Sequence, residues 1–335
     1  MKLTPVAVAI VVAWAASGSA GAAEQWKHRR TAWGDPDLQG MWPVVHLISV
    51  PLERPKQYGE RLRFTEEEMA VQRKAVEARN KRYQEEDAQD RIGMGHWAEV
   101  TDLPTQTSLL VDPKDGRLPA QTDLGKQRSA KMGSSWNHKV FDSVADFDTW
   151  DRCITRGLPA SMFPFQYNNG LQILQSPGYV VINIEMIHEV RIVPLGKMQP
   201  LDGEVKQWLG ASRGHWEGNT LVVETTNFNG QTSMTSAGTG TTGGSMDPRA
   251  SSTELKMVER FERTGSNDLT YTVTVSDPTM QSASWTAQLP WKRNDSYQFF
   301  EYACHEDNET IRNYITSSRA TRAAASQAKP EAAGK

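Results

Sequence analysis

Between Leu171 and Ala303 the chain is interrupted at short intervals by Gly, Pro, Asn or Asp, and the stretches between these breakers alternate their side chains with a period of two. An antiparallel sheet accommodates that pattern and little else does. The alternation is clearest in Leu269-Thr270-Tyr271-Thr272-Val273-Thr274-Val275, where apolar residues and threonines take opposite faces of one half-buried strand. Strands are expected near 171–175, 178–185, 188–193, 220–228, 253–262, 268–276, 284–292 and 297–303. No helical pattern intervenes, so successive strands should lie side by side. The expected fold is mainly β: an antiparallel lipocalin-like barrel or half-barrel, preceded by an extended segment and one long charged helix, with an enclosed face where a small ligand would sit.

Four regions follow from the rest of the chain. Residues 1–22 carry one basic residue, Lys2, an apolar stretch from Val6 to Ala16 and the small residues Ala20-Gly21-Ala22, the layout of a cleaved secretory signal. Residues 23–135 begin with breakers too close together for long elements, among which Trp26, Trp33 and Trp42 are expected anchors. From Phe64 to Arg91 about half the residues are charged, and Thr65 with Glu68 forms a capping box, so a long exposed helix is expected. Its Met69, Val76 and Tyr83 recur every seven residues and should pack one seam on the body. A strand at Thr107–Val111 and a short helix at Thr122–Lys131 complete this region. Residues 136–318 form the β domain, interrupted by a Gly/Ser/Thr-rich stretch from Gly230 to Ala250. Lacking a Gly-Lys-Ser/Thr ending, that stretch is a flexible loop or lid rather than a phosphate loop. The alanine-rich tail, 319–335, is expected to be disordered.

Charge and cysteine usage narrow the function classes. The formal net charge is −3, or −4 once Lys2 leaves with the leader, and no run of Lys and Arg marks a nucleic-acid or anionic-membrane surface. Nucleic acid is therefore not an expected partner, and no segment after the leader is apolar enough to span a bilayer. The only two cysteines, Cys153 and Cys304, have neither CxxC nor metal-ligand spacing. In an oxidising compartment they read as a disulfide closing a loop of about 150 residues, with free thiols as the alternative.

Several longer motifs stand out: Asp37-Leu38-Gln39-Gly40, Arg152-Cys153-Ile154-Thr155-Arg156-Gly157-Leu158-Pro159, the run from Gln172 to Pro194, Ser212-Arg213-Gly214-His215-Trp216-Glu217-Gly218, and Glu301-Tyr302-Ala303-Cys304-His305-Glu306. Together they resemble a widespread family of exported bacterial proteins of unassigned function. The resemblance runs over nearly the whole chain after the leader, with a longer Gly/Ser/Thr connection than the family's usual one. It implies export and attaches no reaction.

The candidate chemistry comes from histidines beside acids at strand ends, where a rigid sheet presents functional groups. These are His188 near Glu185 and Arg191, His215 between Arg213 and Glu217, and His305 before Glu306. On a continuous strand Glu185 and His188 would face opposite ways, and nothing in the sequence demands a turn between them. Glu259 shares a face with Leu255, Met257 and Phe261, so its carboxylate should be desolvated and need a cation, which Arg191 or Arg213 could supply. A structural ion pair is the competing reading of that position. A His-Glu-x-x-His zinc helix and a Gly-x-Ser-x-Gly elbow are both absent, so neither a metal nor another cofactor is expected.

The sequence supports three functional expectations. The first is a periplasmic or secreted protein holding a small apolar or aromatic molecule, with Arg156, Glu185, Arg191, Arg213, Trp216, Tyr302 and His305 as binding residues. The second is a cofactor-independent lyase or isomerase in the same cavity, with His188 or His215 as base and Glu259 as acid. The third is a surface protein whose exposed helix binds a partner chain.

Overall fold

The computed structural model describes residues 26–91, 103, 105–135, 140–196, 201–235 and 248–327. The expected signal, the centre of the Gly230–Ala250 stretch and residues 328–335 lie outside the described residues. In chain order the strands are β1 (Gly40–Met41), β2 (Leu110–Asp112), β3 (Leu171–Ser176), β4 (Tyr179–Ile184), β5 (Glu189–Pro194), β6 (Ala211–Glu217), β7 (Thr220–Thr226), β8 (Lys256–Arg263), β9 (Asp268–Ser276) and β10 (Trp285–Lys292). Three α-helices accompany them: α1 (Glu66–Asp87), α2 (Asp123–Ser129) and α3 (Thr310–Gln327). No helix among the described residues is long and apolar enough to cross a membrane.

The strands form two antiparallel sheets, one of four strands in the order β1-β3-β4-β5 and one of six in the order β2-β10-β9-β8-β7-β6. The period-two alternation decides which side chains face inward. In β8 it buries Met257, Glu259, Phe261 and Arg263, and in β9 it buries Leu269, Tyr271, Val273 and Val275. All of these but Glu259 and Arg263 join Val180, Ile182 and Ile184 of β4, Trp285 and Trp291 of β10, and Trp42 in one hydrophobic cluster shared by both sheets.

The expected barrel is corrected on two counts. Among the described residues no ladder closes the two sheets into a cylinder. Among the described residues the backbones of the β5 and β6 edges pair at one parallel bridge, Leu195 just past β5 with Gly214, where Gly196 N–H donates to Gly214 O at 3.2 Å. Pro194, the last residue of β5, has no N–H to extend the pairing. Gly214 lets the edges come this close without rearrangement, since a Cβ there would lie 2.6 Å from Leu195 Cδ2 and 3.0 Å from Val193 Cγ1 and those side chains would have to shift. The space between the sheets is also filled: Trp42, Trp285, Trp291, Tyr271 and Phe261 are buried there, so the shared interior is a packed core rather than a ligand cavity.

Other local expectations shift for identifiable reasons. Residues 211–217, turn-like in their Ser and Gly content, are strand β6, because every residue pairs in register with β7. Residues 297–303 are extended but join no ladder; side chains of the four-stranded sheet hold them instead. The tail is helical as far as Gln327, in keeping with its alanines. It is anchored where Tyr314 packs edge-on to Phe141 and Ser318 Oγ accepts the Phe141 N–H at 2.9 Å. Helix α1 carries the Thr65–Glu68 capping box, and its seam of Met69, Val76 and Tyr83 is half-buried. Of the three early tryptophans only Trp42 is buried in the core, while Trp33 turns outward and bonds Asp35.

Cys153 and Cys304 form a disulfide across 151 residues. It ties the segment after β10 to the turn at Trp150–Ile154. Replacing both cysteines with serine is expected to lower folding stability by about 2–5 kcal/mol, measured by chemical denaturation of the oxidised wild type against the double variant. An unchanged midpoint would mean the remaining contacts of that segment suffice.

Candidate functional site

The alternation of β5 turns Glu189, Arg191 and Val193 inward and leaves Val190 and Ile192 outside, 53 % and 62 % exposed. Across the interior, β8 presents Glu259 to the same point. Arg191 Nη1 donates to Glu259 Oε1 at 2.9 Å and Nη2 to Oε2 at 2.5 Å, a two-pronged pair buried at both ends. Tyr271 donates its hydroxyl to Glu259 Oε1 at 2.8 Å. Arg191 Nη2 also reaches Ser212 Oγ at 3.2 Å, and Ser212 and Thr225 share a hydrogen bond of 2.9 Å. Burial works against the Arg191 proton, but the charge and hydrogen bond of Glu259 outweigh it and hold the guanidinium above its ordinary range. Burial, then the charge of Glu259, pushes the Tyr271 phenol well upward.

Two more buried charges extend this line. Glu189 accepts from Ser161 Oγ at 2.6 Å and lies in the fields of Arg156 and Arg191. Burial raises its carboxyl against those partners. Arg156 lies with its guanidinium 4.9 Å from the Phe165 ring centre and 5.7 Å from that of Trp150, and burial lowers it to about 10 while Glu189 opposes the shift. The interior thus holds Arg156, Glu189, Arg191 and Glu259 as charges of alternating sign.

This line approaches the surface at two clefts. The first opens where β5 and β6 splay apart below the Leu195–Gly214 bridge and has a volume of about 550 Å³. Val190 and Ile192 form one wall and Trp208 and Leu209 the other, with Arg191 and Ser212 lining it and Lys206 on its rim. Leu195 N–H donates to Gly178 O beside β4, so the alternate residues Val190 and Ile192 turn their backbone groups toward the opening. The Trp208 wall is held from behind: Asn227 Nδ2 donates to Asp202 O and Val205 O, and Gln207 N–H donates to Asn227 O. Arg191 Nε is buried and has no hydrogen-bond partner among the described residues, a situation that costs about 1–3 kcal/mol when nothing compensates it.

The second cleft, of about 460 Å³, lies under residues 297–308, which cross the end of the four-stranded sheet as a strap. Glu185 pins the strap, accepting from Tyr297 Oη at 2.7 Å and Phe300 N–H at 2.9 Å while also holding Gly170 N–H and Asn168 Nδ2. The exposed His188 meets Tyr302 O through Nδ1 at 2.9 Å. Both residues face the strap because the chain does turn between them, with Ile187 and His188 in the left-handed region at φ 60° and 41°. Trp150, Tyr167 and Tyr302 line the cleft with Asp151 and Glu301. Burial raises the Tyr167 phenol to about 12, aided by the field and hydrogen bond of Tyr302. Burial, then the charge of Asp151, raises the neighbouring Asp148 to about 6.

The expected single cluster is therefore divided. Arg191 and Glu259 meet in the core; Arg156, Glu185, His188, Tyr302 and the disulfide gather around the strap. His215 and Arg213 lie on the outer face of β6, where His215 Nε2 is 3.3 Å from Glu217 Oε1. Trp216 points inward and packs against the core, and His305 is exposed on the strap. Neither histidine proposed as base reaches Glu259, whose oxygens are engaged by Arg191 and Tyr271. The sequence alone assigned no functional role to Glu189, Ser212, Thr225, Tyr271 or Lys206. The inward parity of Glu189 with Arg191 was the available signal. Among the described residues no group of three or more His, Cys, Asp or Glu side chains could hold a metal ion. No protein-family model, curated protein or solved structure matches the chain.

Two outcomes follow from the buried groups. Glu259→Ala strands the Arg191 guanidinium and is expected to cost about 3–5 kcal/mol of stability, with Glu259→Gln costing less, both measured by urea denaturation. Asp148 holds its proton more tightly in the folded state than at its ordinary 3.8, so its contribution is complete below that value and lost as pH rises to about 6. Wild type should lose on the order of 3 kcal/mol across that window relative to Asp148→Asn, which keeps the Oδ1 acceptor for the Trp150 and Asp151 N–H groups. Parallel pH profiles of the two proteins would refute this assignment.

Proposed function

We propose that the chain is an exported protein that binds a small apolar or aromatic molecule, and that the ligand occupies the cleft between β5 and β6. Export rests on the leader-like start, the disulfide and the resemblance to exported bacterial proteins, with which we group the chain. The observation that carries the binding reading is the composition of this cleft: apolar walls of Val190, Ile192, Trp208 and Leu209 beside the buried polar groups of Arg191 and Ser212. Ligand sites combine these features, an apolar enclosure with a few fixed polar groups. The exposure of Val190 and Ile192 on an edge strand is otherwise an aggregation liability that natural sheets avoid. Rigidity comes from the Arg191–Glu259 pair beneath and the Asn227 contacts behind Trp208.

The test uses the neutral fluorescent probe N-phenylnaphthylamine. One site is expected on the wild-type protein. Trp208→Ala and Ile192→Asp each remove wall area outside the buried core and should weaken binding about tenfold or more, with circular dichroism unchanged. Equal binding by both variants would place the ligand elsewhere, and loss on Tyr302→Ala would move it to the strap cleft.

A further inference from the structure

We infer that the molecule taken by the β5–β6 cleft is an apolar acid, held with its carboxylate against Arg191 and Lys206; this rests on the binding reading above. The apolar walls select a hydrocarbon or aromatic body and say nothing about its polar end. That end is specified by the groups available to meet it. Arg191 is among the residues lining the cleft, and its buried Nε–H has no acceptor among the described residues. Arg54, Arg79 and Arg263 have the same orphan nitrogen, but none of them lines this cleft or the one under the strap. An oxygen entering the β5–β6 cleft is therefore positioned to satisfy a donor that the fold leaves open.

Lys206 stands on the rim as a second donor with a full charge, and the edge N–H groups of Val190 and Ile192 turn toward the same opening. No carboxylate lines the cleft to compete for these donors. Glu259, the nearest buried acid, already gives both oxygens to Arg191. Asp202 and Glu204 precede Lys206 on the same loop, and neither lines the opening. Glu259 already compensates the Arg191 charge, so the preference for an anionic head over a neutral or cationic one comes from the Lys206 charge together with the open Arg191 Nε–H.

Competition against N-phenylnaphthylamine on the full oxidised chain tests this. Decanoate is compared with decanol and decylamine, and naphthoate with naphthamide, so that body and head are varied separately. In at least one series the acid is expected to displace the probe about tenfold more effectively than its neutral partner, as one charge-assisted hydrogen bond allows. That preference should shrink in Lys206→Gln, an exposed position where folding is not at stake, and in wild type at raised salt. Arg191→Lys, which keeps a charge for Glu259 and removes Nε–H, should shrink it further, with its stability measured in parallel. If the neutral or amine partner competes as well as the acid while the probe still binds in the cleft, the acid inference is overturned and the cleft reading stands. If the probe itself does not bind there, both fall.

Discussion

The Arg191–Glu259 pair is the contact on which the arrangement of the two sheets depends. It joins β5 of the four-stranded sheet to β8 of the six-stranded one, and both charges are almost wholly withdrawn from water. Neither could be buried alone, because an unpaired charge in such an interior costs several kcal/mol. Only a placement of the sheets that puts the inner faces of β5 and β8 opposite each other satisfies the two, and Tyr271, Ser212 and Thr225 add hydrogen bonds around them, leaving Arg191 Nε without a partner among the described residues. A pair of this kind adds little net stability compared with apolar packing. What it supplies is alignment between surfaces that share only one backbone bridge.

That alignment explains why a cleft exists beside a core that is otherwise full. The aromatic residues close the space between the sheets on the β9–β10 side. On the β5–β6 side, proline and a close glycine contact let the edges touch at one end and part at the other. The charged floor then prevents apolar collapse of the opening, since Arg191 is held by Glu259 on the other sheet and Ser212 by Arg191 and by Thr225 on the neighbouring strand.

Much of the sheet was legible because alternation reports directly on which side chains are buried. It located seven of the strands, with β2 foretold separately by the run Thr107–Val111, and, at Glu259, both the buried acid and one of the two cations offered for it. Three features were not legible for physical reasons. β6 carries Ser212 and Gly214 where a strand normally shows bulky residues, because its inner face meets a neighbouring edge instead of open core. The turn at Ile187 and His188 uses left-handed backbone at residues that rarely adopt it, so no local signal announces it. The strap is held by Glu185 and His188 through contacts more than a hundred residues apart, which no local pattern encodes. The expected single cluster required an open interior to gather residues far apart in sequence; the interior is packed instead, so Arg191 and Glu259 meet inside it while His215 and Arg213 stay on the outer face of β6.

The placement of β1 carries a kinetic consequence. Gly40 and Met41 pair with β3, and Met41 is gripped on its other side by Asn294 and Asp295, contacts that span most of the sequence. Structures closed by such distant pairings assemble slowly, because the entropy of bringing remote segments together is spent before the contacts reward it. The tertiary fold around β1 cannot be completed until residues beyond β10 have arrived. On the proposed export, which would thread the chain through a membrane before it folds, this delay helps keep it translocation-competent.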